Sequence, residues 1–339
     1  MEGKLSGRTD PRGKGRARPA ETPPGDAEQV LVIGAGFIGS RVAATALDRR
    51  LPLVVLSRGV PLEPGLAAAG VRIVTGDATD RALVTGILST GPHVVYCAGG
   101  RLPAGSVDDP ADDAVETLRP LINVLQAMRS VPGGRLTYLS SGGTVYGRPL
   151  SEPIDEDHPC RPVVPYGVSR LAAEGYVGAY AATYGIRSRV LRLGNVYGAT
   201  QPSDRHQGVV AALLAAAREH RPVPIYGDGS IARDYVHVDD VADVILRLPP
   251  PADVGLVLNV GTGVARTLRE VIDIVQNVTG VTLRLVRRPD RPFDVRRIAL
   301  SIRRLADLIP FAPMPLEEGI RRAFLDQPKA AVETATPGS

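Results

Sequence analysis

Short apolar runs alternate with longer amphipathic ones along most of this chain. Gln29–Ile33 is a β-branched run that passes straight into glycines, as a strand buried on both faces does. Ser40–Arg50 follows with helical spacing, then Leu53–Leu56 and Val71–Thr75 read as strands. Arg81–Ser89 is helical, His93–Cys97 is a fourth strand, Ala111–Arg129 a long helix and Arg135–Leu139 a fifth strand. The next long helix is Tyr166–Tyr184, with Gly185 placed to end it, and Ser188–Leu193 is a sixth strand. Strands alternating with helices imply parallel pairing and right-handed crossovers, so the fold class expected is α/β, a doubly wound parallel sheet.

After Asn195 the pattern loosens. A helix near Gly208–Glu219, a Pro/Gly-rich loop at 221–231, a helix from Asp239 and another at Leu268–Thr279 suggest a smaller C-terminal lobe. Short strands at Val257–Val260 and Thr282–Val286 fit with it. The expected organisation is a disordered tail over 1–28, a nucleotide-binding domain over 29–194, a substrate lobe over 195–328 that returns some strands to the main sheet, and a frayed end over 329–339.

Composition narrows the picture in two places. The net charge of +4 is carried by the first 18 residues, where six basic side chains face two acidic ones, so the body is neutral. A neutral body gives no footprint for nucleic acid. No apolar run is long enough for a membrane span, and no apolar segment follows the basic residues as in a secretory signal. Cys97 and Cys160 lie far apart without metal-ligand spacing and read as thiols in a reducing cytoplasm. His237, Asp239 and Asp240 cluster, but a helix start rich in Asp explains them, and no metal is expected.

The candidate chemistry begins at Gly34-Ala35-Gly36-Phe37-Ile38-Gly39, between a strand and a helix. The first glycine permits the tight turn, the second lets a pyrophosphate approach the backbone, and the third allows close helix–strand packing. The second strand ends at Ser57-Arg58, where an NAD site usually has a carboxylate for the ribose. A hydroxyl and a guanidinium suit a 2′-phosphate, so the pattern favours NADP over NAD. Asp77 either accepts from the adenine amino group or caps the following helix. Further on, Tyr166 and Arg170 lie four residues apart on a helix and share one face. A phenol titrates near ~10, so a tyrosine acting as acid and base at neutral pH needs positive charge nearby.

With LSSGGTVYG at 139–147, PYGVSRLAAE at 165–174, LRLGNVYG at 191–198, IYGDGSIARDYVHVDD at 225–240 and LNVGTG at 258–263, the chain resembles the extended short-chain dehydrogenase/reductase superfamily. It is most similar there to the UDP-glucose 4-epimerase-like epimerases and dehydratases. The resemblance implies that Gly34, Gly36, Phe37, Ile38, Gly39, Ser57, Arg58, Asp77, Ala98, Tyr166 and Arg170 hold the cofactor. It makes Tyr166 the acid/base, with Arg170 standing where the family has lysine. The family's Ser or Thr falls on Gly142, so Thr144, or Ser141, would have to supply the hydroxyl. The Asp-Glu pair of the 4,6-dehydratases is replaced by Gly143 and Thr144, which disfavours that branch. Asn195, Arg233 and Arg291 would grip a sugar diphosphate, with Tyr226 against the base. The function implied is epimerisation at C4 of a nucleotide-diphosphate hexose through a transient 4-keto sugar. The alternatives are an NADPH-dependent 4-ketoreductase and a catalytically impaired cofactor sensor. A homodimer, paired through the two long helices, is carried over from the family, and the two cysteines point to the cytoplasm.

Overall fold

The computed structural model describes residues 28–59, 66, 69, 71–199, 201, 208–249, 255–291 and 294–326. The basic N-terminal tail and the C-terminal end lie outside the described residues. The central sheet uses β1 (Val30–Ile33), β2 (Leu53–Ser57), β3 (Arg72–Thr75), β4 (His93–Tyr96), β5 (Arg135–Ser141), β6 (Arg187–Leu193) and β10 (Leu256–Val260). All pairs are parallel, in the order β10-β6-β5-β4-β1-β2-β3. The order reverses between β1 and β4, which opens a crevice beyond the carboxyl ends of those strands, where such sheets bind ligands.

Alternation along β1 shows why helices cover both faces. Val30 and Val32 join a core with α1 (Phe37–Asp48), α7 (Val238–Arg247) and α9 (Arg303–Leu308). Leu31 and Ile33 join the opposite core with α2 (Arg81–Leu88), α4 (Pro110–Met128) and α5 (Pro165–Tyr184). A short α3 (Pro103–Asp108) precedes α4. Both faces of β1 are buried in this way, so its run is continuously apolar rather than alternating with polar residues. Local signals set the helix ends: Pro165 opens α5 and Gly185, at φ 69°, closes it in the left-handed conformation.

The smaller lobe is built from β7 (Asn195–Tyr197), α6 (Val209–Glu219), β8 (Val223–Tyr226), β9 (Ala232–His237), β11 (Ala265–Thr267), α8 (Leu268–Thr279), β12 (Leu285–Arg288) and α10 (Leu316–Asp326). Its core joins α6, α8 and α10 to β8 and β9. A capping box starts α8, with Thr267 and Glu270 satisfying each other's backbone amides. Chain order and lobe part company after 195. β10 pairs with β6 at the edge of the main sheet, and α7 lays Val241, Ala242, Val244 and Ile245 on α1's side of it. An apolar run long enough for a buried strand finds its partner at the open sheet edge, not in the lobe its position suggests. The second short strand begins at Leu285 rather than Thr282. Among the described residues, no helix is long and apolar enough to cross a membrane.

Candidate active site

The turn from β1 to α1 is shaped by its glycines. Gly34 has φ 96°, and a Cβ on it would meet the Ala98 backbone nitrogen at 2.6 Å, so the glycine loop and the end of β4 touch backbone to backbone. A Cβ on Gly39 would sit 1.9 Å from the Gly34 carbonyl oxygen, while one on Gly36 would meet nothing within 4 Å. The open side of the loop therefore lies at Gly36, beside Phe37 and Ile38, whose first-turn amides have no intrahelical partner. Open space beside free helix-terminal amides fits a dinucleotide pyrophosphate. The Phe37 ring packs toward Gly198, and Arg41 pairs with Asp239 at the start of α7.

Ser57 is buried at the end of β2, and its hydroxyl has no partner among the described residues. Arg58 is 73% exposed, and its guanidinium lies 3.8 Å from the Asp77 carboxylate. Asp77 does not cap α2: Asp80 does, accepting from the Leu83 amide. Asp77 instead accepts from the Thr79 amide at 2.8 Å. That bond, helped by Arg58, lowers its pKa from the ordinary carboxylate value. Cys97 is a free thiol pushed up to about 12 by burial, which makes it inert as a nucleophile.

Tyr166 sits half-buried in the first turn of α5, its amide donating to the Ser106 hydroxyl at 3.0 Å. Arg170, one turn on, is buried, with its guanidinium carbon 4.9 Å from the centre of the Tyr166 ring. Its Nη1 donates to the Tyr138 hydroxyl at 3.4 Å, and Nη2 lies against Gly99 at the end of β4. The strip after β5 reaches the same place. Thr144 packs its carbonyl against Gly167, next to Tyr166, while Ser141 and Asn195 flank Gly143. A side chain at 142 would have to displace its neighbours: a Cβ on Gly142 would fall 2.7 Å from Leu300 Cδ1 and 3.1 Å from the Arg192 carbonyl oxygen. The slot faces a small core of Val145, Tyr146, Ile154, Val295, Ile298 and Leu300.

The other substrate-side residues are spread more widely. Arg291 stacks on Tyr226, its guanidinium carbon 3.5 Å from the ring centre, and lines a polar cleft of about 870 Å³. Arg148, Arg296 and Arg297 share that cleft with Asp228, Asp290 and Asp294, and no motif singles these three arginines out along the chain. Arg233 is tied to the Val295 carbonyl at 2.6 Å and lies 4.0 Å from Asp294; burial lowers its pKa. Neither Arg233 nor Asn195 lines the cleft. His237 caps α7 by accepting from the Asp239 amide, and no His/Cys/Asp/Glu group among the described residues is arranged to hold a metal.

Beneath the strip lies a buried network that chain order hides. Glu174 takes Arg192 in a fork, with Oε2 to Nη2 at 2.7 Å, and accepts from the Ser140 hydroxyl. Arg192 also donates to the Glu156 carbonyl at 3.2 Å and stacks on Tyr146. Tyr146 donates to Asn259, whose amide donates to the Glu156 carboxylate. The strip, α5, β6 and β10 are thereby locked together behind the Tyr166–Arg170 pair.

A seven-stranded parallel sheet with a glycine loop at its switch point, and a tyrosine–cation pair beside it, defines a dinucleotide-dependent enzyme of the extended short-chain dehydrogenase/reductase type. The chain belongs to the NAD dependent epimerase/dehydratase family, which it matches over residues 30–261. It is 34% identical over 303 residues to the UDP-glucose 4-epimerase of Mycolicibacterium smegmatis, covering 87% of this chain and 96% of that one. It is 31% identical over 291 residues to a putative UDP-glucose 4-epimerase of Methanocaldococcus jannaschii, covering 85% and 94%. The crystal structure of the Thermus thermophilus UDP-glucose 4-epimerase with NAD superposes with a TM-score of 0.79 at 34% identity, covering 87% of this chain and 97% of that one.

Proposed function

We propose that this chain inverts C4 of a hexose carried on a nucleoside diphosphate, with UDP-glucose and UDP-galactose the first pair to test. The observation that carries the reading is the pairing of Tyr166 with Arg170, whose guanidinium lies 4.9 Å from its ring and against Gly99 just beyond β4. The similarity to proteins named UDP-glucose 4-epimerase supports the choice of sugar nucleotide. A dinucleotide held on the glycine loop would supply the hydride chemistry at C4. Tyr166 takes the proton of the C4 hydroxyl and returns it, and Arg170 keeps a fixed positive charge 4.9 Å from the centre of its ring. Thr144, whose carbonyl packs against Gly167 in the first turn of α5, is the candidate second hydroxyl, with Ser141 the alternative. Gly34, Gly36, Phe37, Ile38, Gly39 and Ala98 frame the pyrophosphate, and Ser57, Arg58 and Asp77 the adenosine end. Asn195, Arg233, Arg291 and Tyr226 hold the nucleoside diphosphate.

A 4-ketoreductase using NADPH is the second reading, favoured by Arg58, an exposed guanidinium held only loosely by Asp77 at the end of β2. Within either reading the preferred dinucleotide is NADP(H), with NAD the alternative. Purified protein given UDP-galactose and NAD⁺ should form UDP-glucose without net cofactor reduction. Consumption of NADPH with a 4-keto sugar nucleotide, and no epimerisation, would instead select the reductase. A homodimer through α4 and α5 goes with the proposal, supported by the exposed Val115, Val168 and Tyr176 on those helices. Cytoplasmic placement goes with it too, supported by two free thiols.

A further inference from the structure

Arginine is larger and flatter than the lysine usual at position 170, and the protein has made room for it. Arg170 is only 7% exposed, yet it makes no ion pair among the described residues. The ionisable groups it faces are the phenols of Tyr166, Tyr138 and Tyr96. Its Nη1 bonds the Tyr138 hydroxyl, and its plane lies over the Tyr166 ring. The rings of Tyr96 and Tyr138 lie 6.0 Å apart beneath it. A buried guanidinium without a carboxylate is costly unless dipoles and ring faces compensate it, and a planar fork can use both.

Gly99 completes this arrangement. A Cβ built there would fall 2.2 Å from Nη2, 3.2 Å from Cζ and 3.3 Å from Nη1 of Arg170. The guanidinium therefore occupies the volume that any other residue at 99 would fill. An ammonium on a thinner stem makes no such demand.

We propose that Gly99 and Tyr138 form a seat for Arg170 and act as positioning residues that let an arginine serve the cofactor in place of lysine. The proposal rests on the reading of Tyr166 and Arg170 as the pair facing the dinucleotide. The seat fixes where the guanidinium stands relative to Tyr166 and to Ala98, whose backbone meets the phosphate loop. Positions 99 and 170 are therefore coupled: what one tolerates depends on the other.

The test is a double-mutant cycle on the full chain, with NAD⁺ titrated calorimetrically into wild type, Gly99→Ala, Arg170→Lys and the double variant, and Tm measured for each. Coupled neighbours depart from additivity by about 0.5–3 kcal/mol, so Gly99→Ala should weaken NAD⁺ by about tenfold beside Arg170 and by no more than about twofold beside lysine. Equal fold-changes in the two backgrounds overturn the seat. If Gly99→Ala alone does not fold, rescue by Arg170→Lys supports the proposal and failure of rescue refutes it. Tyr138→Phe removes only the hydroxyl and should weaken NAD⁺ and lower Tm; no change in either removes Tyr138 from the seat. A wild-type chain that binds neither NADP⁺ nor NAD⁺ defeats the proposed function instead, and the four Tm values still report whether 99 and 170 are coupled.

Discussion

Glu174→Ala tests whether the network beneath the strip holds the site together. Glu174 and Arg192 are each 7% exposed in their side chains, so the pair is buried, not a screened surface contact. Burial would lower the Arg192 pKa, but the hydrogen bonds and charge of Glu174 reverse this and raise it above the ordinary arginine value. Removing the carboxylate leaves a buried guanidinium with only the Glu156 carbonyl and the Tyr146 ring as partners. Breaking a buried pair in this way costs about 3–5 kcal/mol. With an unfolding entropy of about 2.1 cal/mol/K per residue, each kcal/mol shifts a chain of this length by about 1.5 °C, so Tm should fall by roughly 4–8 °C. Thermal and urea unfolding followed by circular dichroism would measure both. The double variant Glu174→Met/Arg192→Leu should recover most of the loss, because apolar residues of similar volume often replace a buried pair without cost. A single-variant loss below about 1 kcal/mol would place this pair with ordinary surface contacts. A double variant as unstable as the single one would show that the cost comes from Ser140 losing its acceptor, not from an unbalanced charge.

Three further outcomes are expected. Arg58→Ala should weaken NADPH about tenfold, roughly 1.4 kcal/mol, and NADH by less than about twofold in fluorescence titrations; equal losses would remove Arg58 as a phosphate partner. Gly39→Ala forces a Cβ against the Gly34 carbonyl and should destabilise by about 1–3 kcal/mol. Gly36→Ala meets nothing in the protein and should keep Tm while weakening the dinucleotide; the reverse pattern would place the open side of the loop elsewhere. His93, bonded to the Thr137 hydroxyl, has a folded pKa depressed by burial, and then by Arg189 and Arg135, from 6.5 to about 3. Its contribution is complete above 6.5 and is lost as pH falls toward 3. The loss at pH 5 should be about 2 kcal/mol, and His93→Asn should flatten that slope in denaturant titrations; an unchanged slope would assign it to other groups.

The parallel sheet was legible because β1, β2, β4 and β5 are short apolar runs punctuated by glycine and helix, a pattern few other folds share. Periodicity says what an element is, not what it pairs with. That is why the expected return of strands to the main sheet could not be pinned to β10, nor α7 to the first lobe, before the structure placed them against β6 and α1. The same limit applies at the candidate site. A four-residue spacing puts Tyr166 and Arg170 on one face, but nothing local says that Gly99 leaves room for the guanidinium. Glu174 and Arg192 are 18 residues apart on different elements, so their pairing emerges only when α5 packs on the sheet. Gly142 could be counted into a hydroxyl slot from the motif, whereas its direction, toward Leu300, depends on a segment more than a hundred residues later.

Tyr166→Phe, assayed with UDP-galactose and NAD⁺ beside a calorimetric NAD⁺ titration, is the most direct test of the proposed chemistry. Wild type should form UDP-glucose, and the variant should lose about 10²–10⁴-fold in turnover, the usual contribution of a positioned acid/base, with NAD⁺ affinity within about twofold of wild type. A variant that turns over at the wild-type rate would contradict the assignment of Tyr166 as the proton-transfer residue.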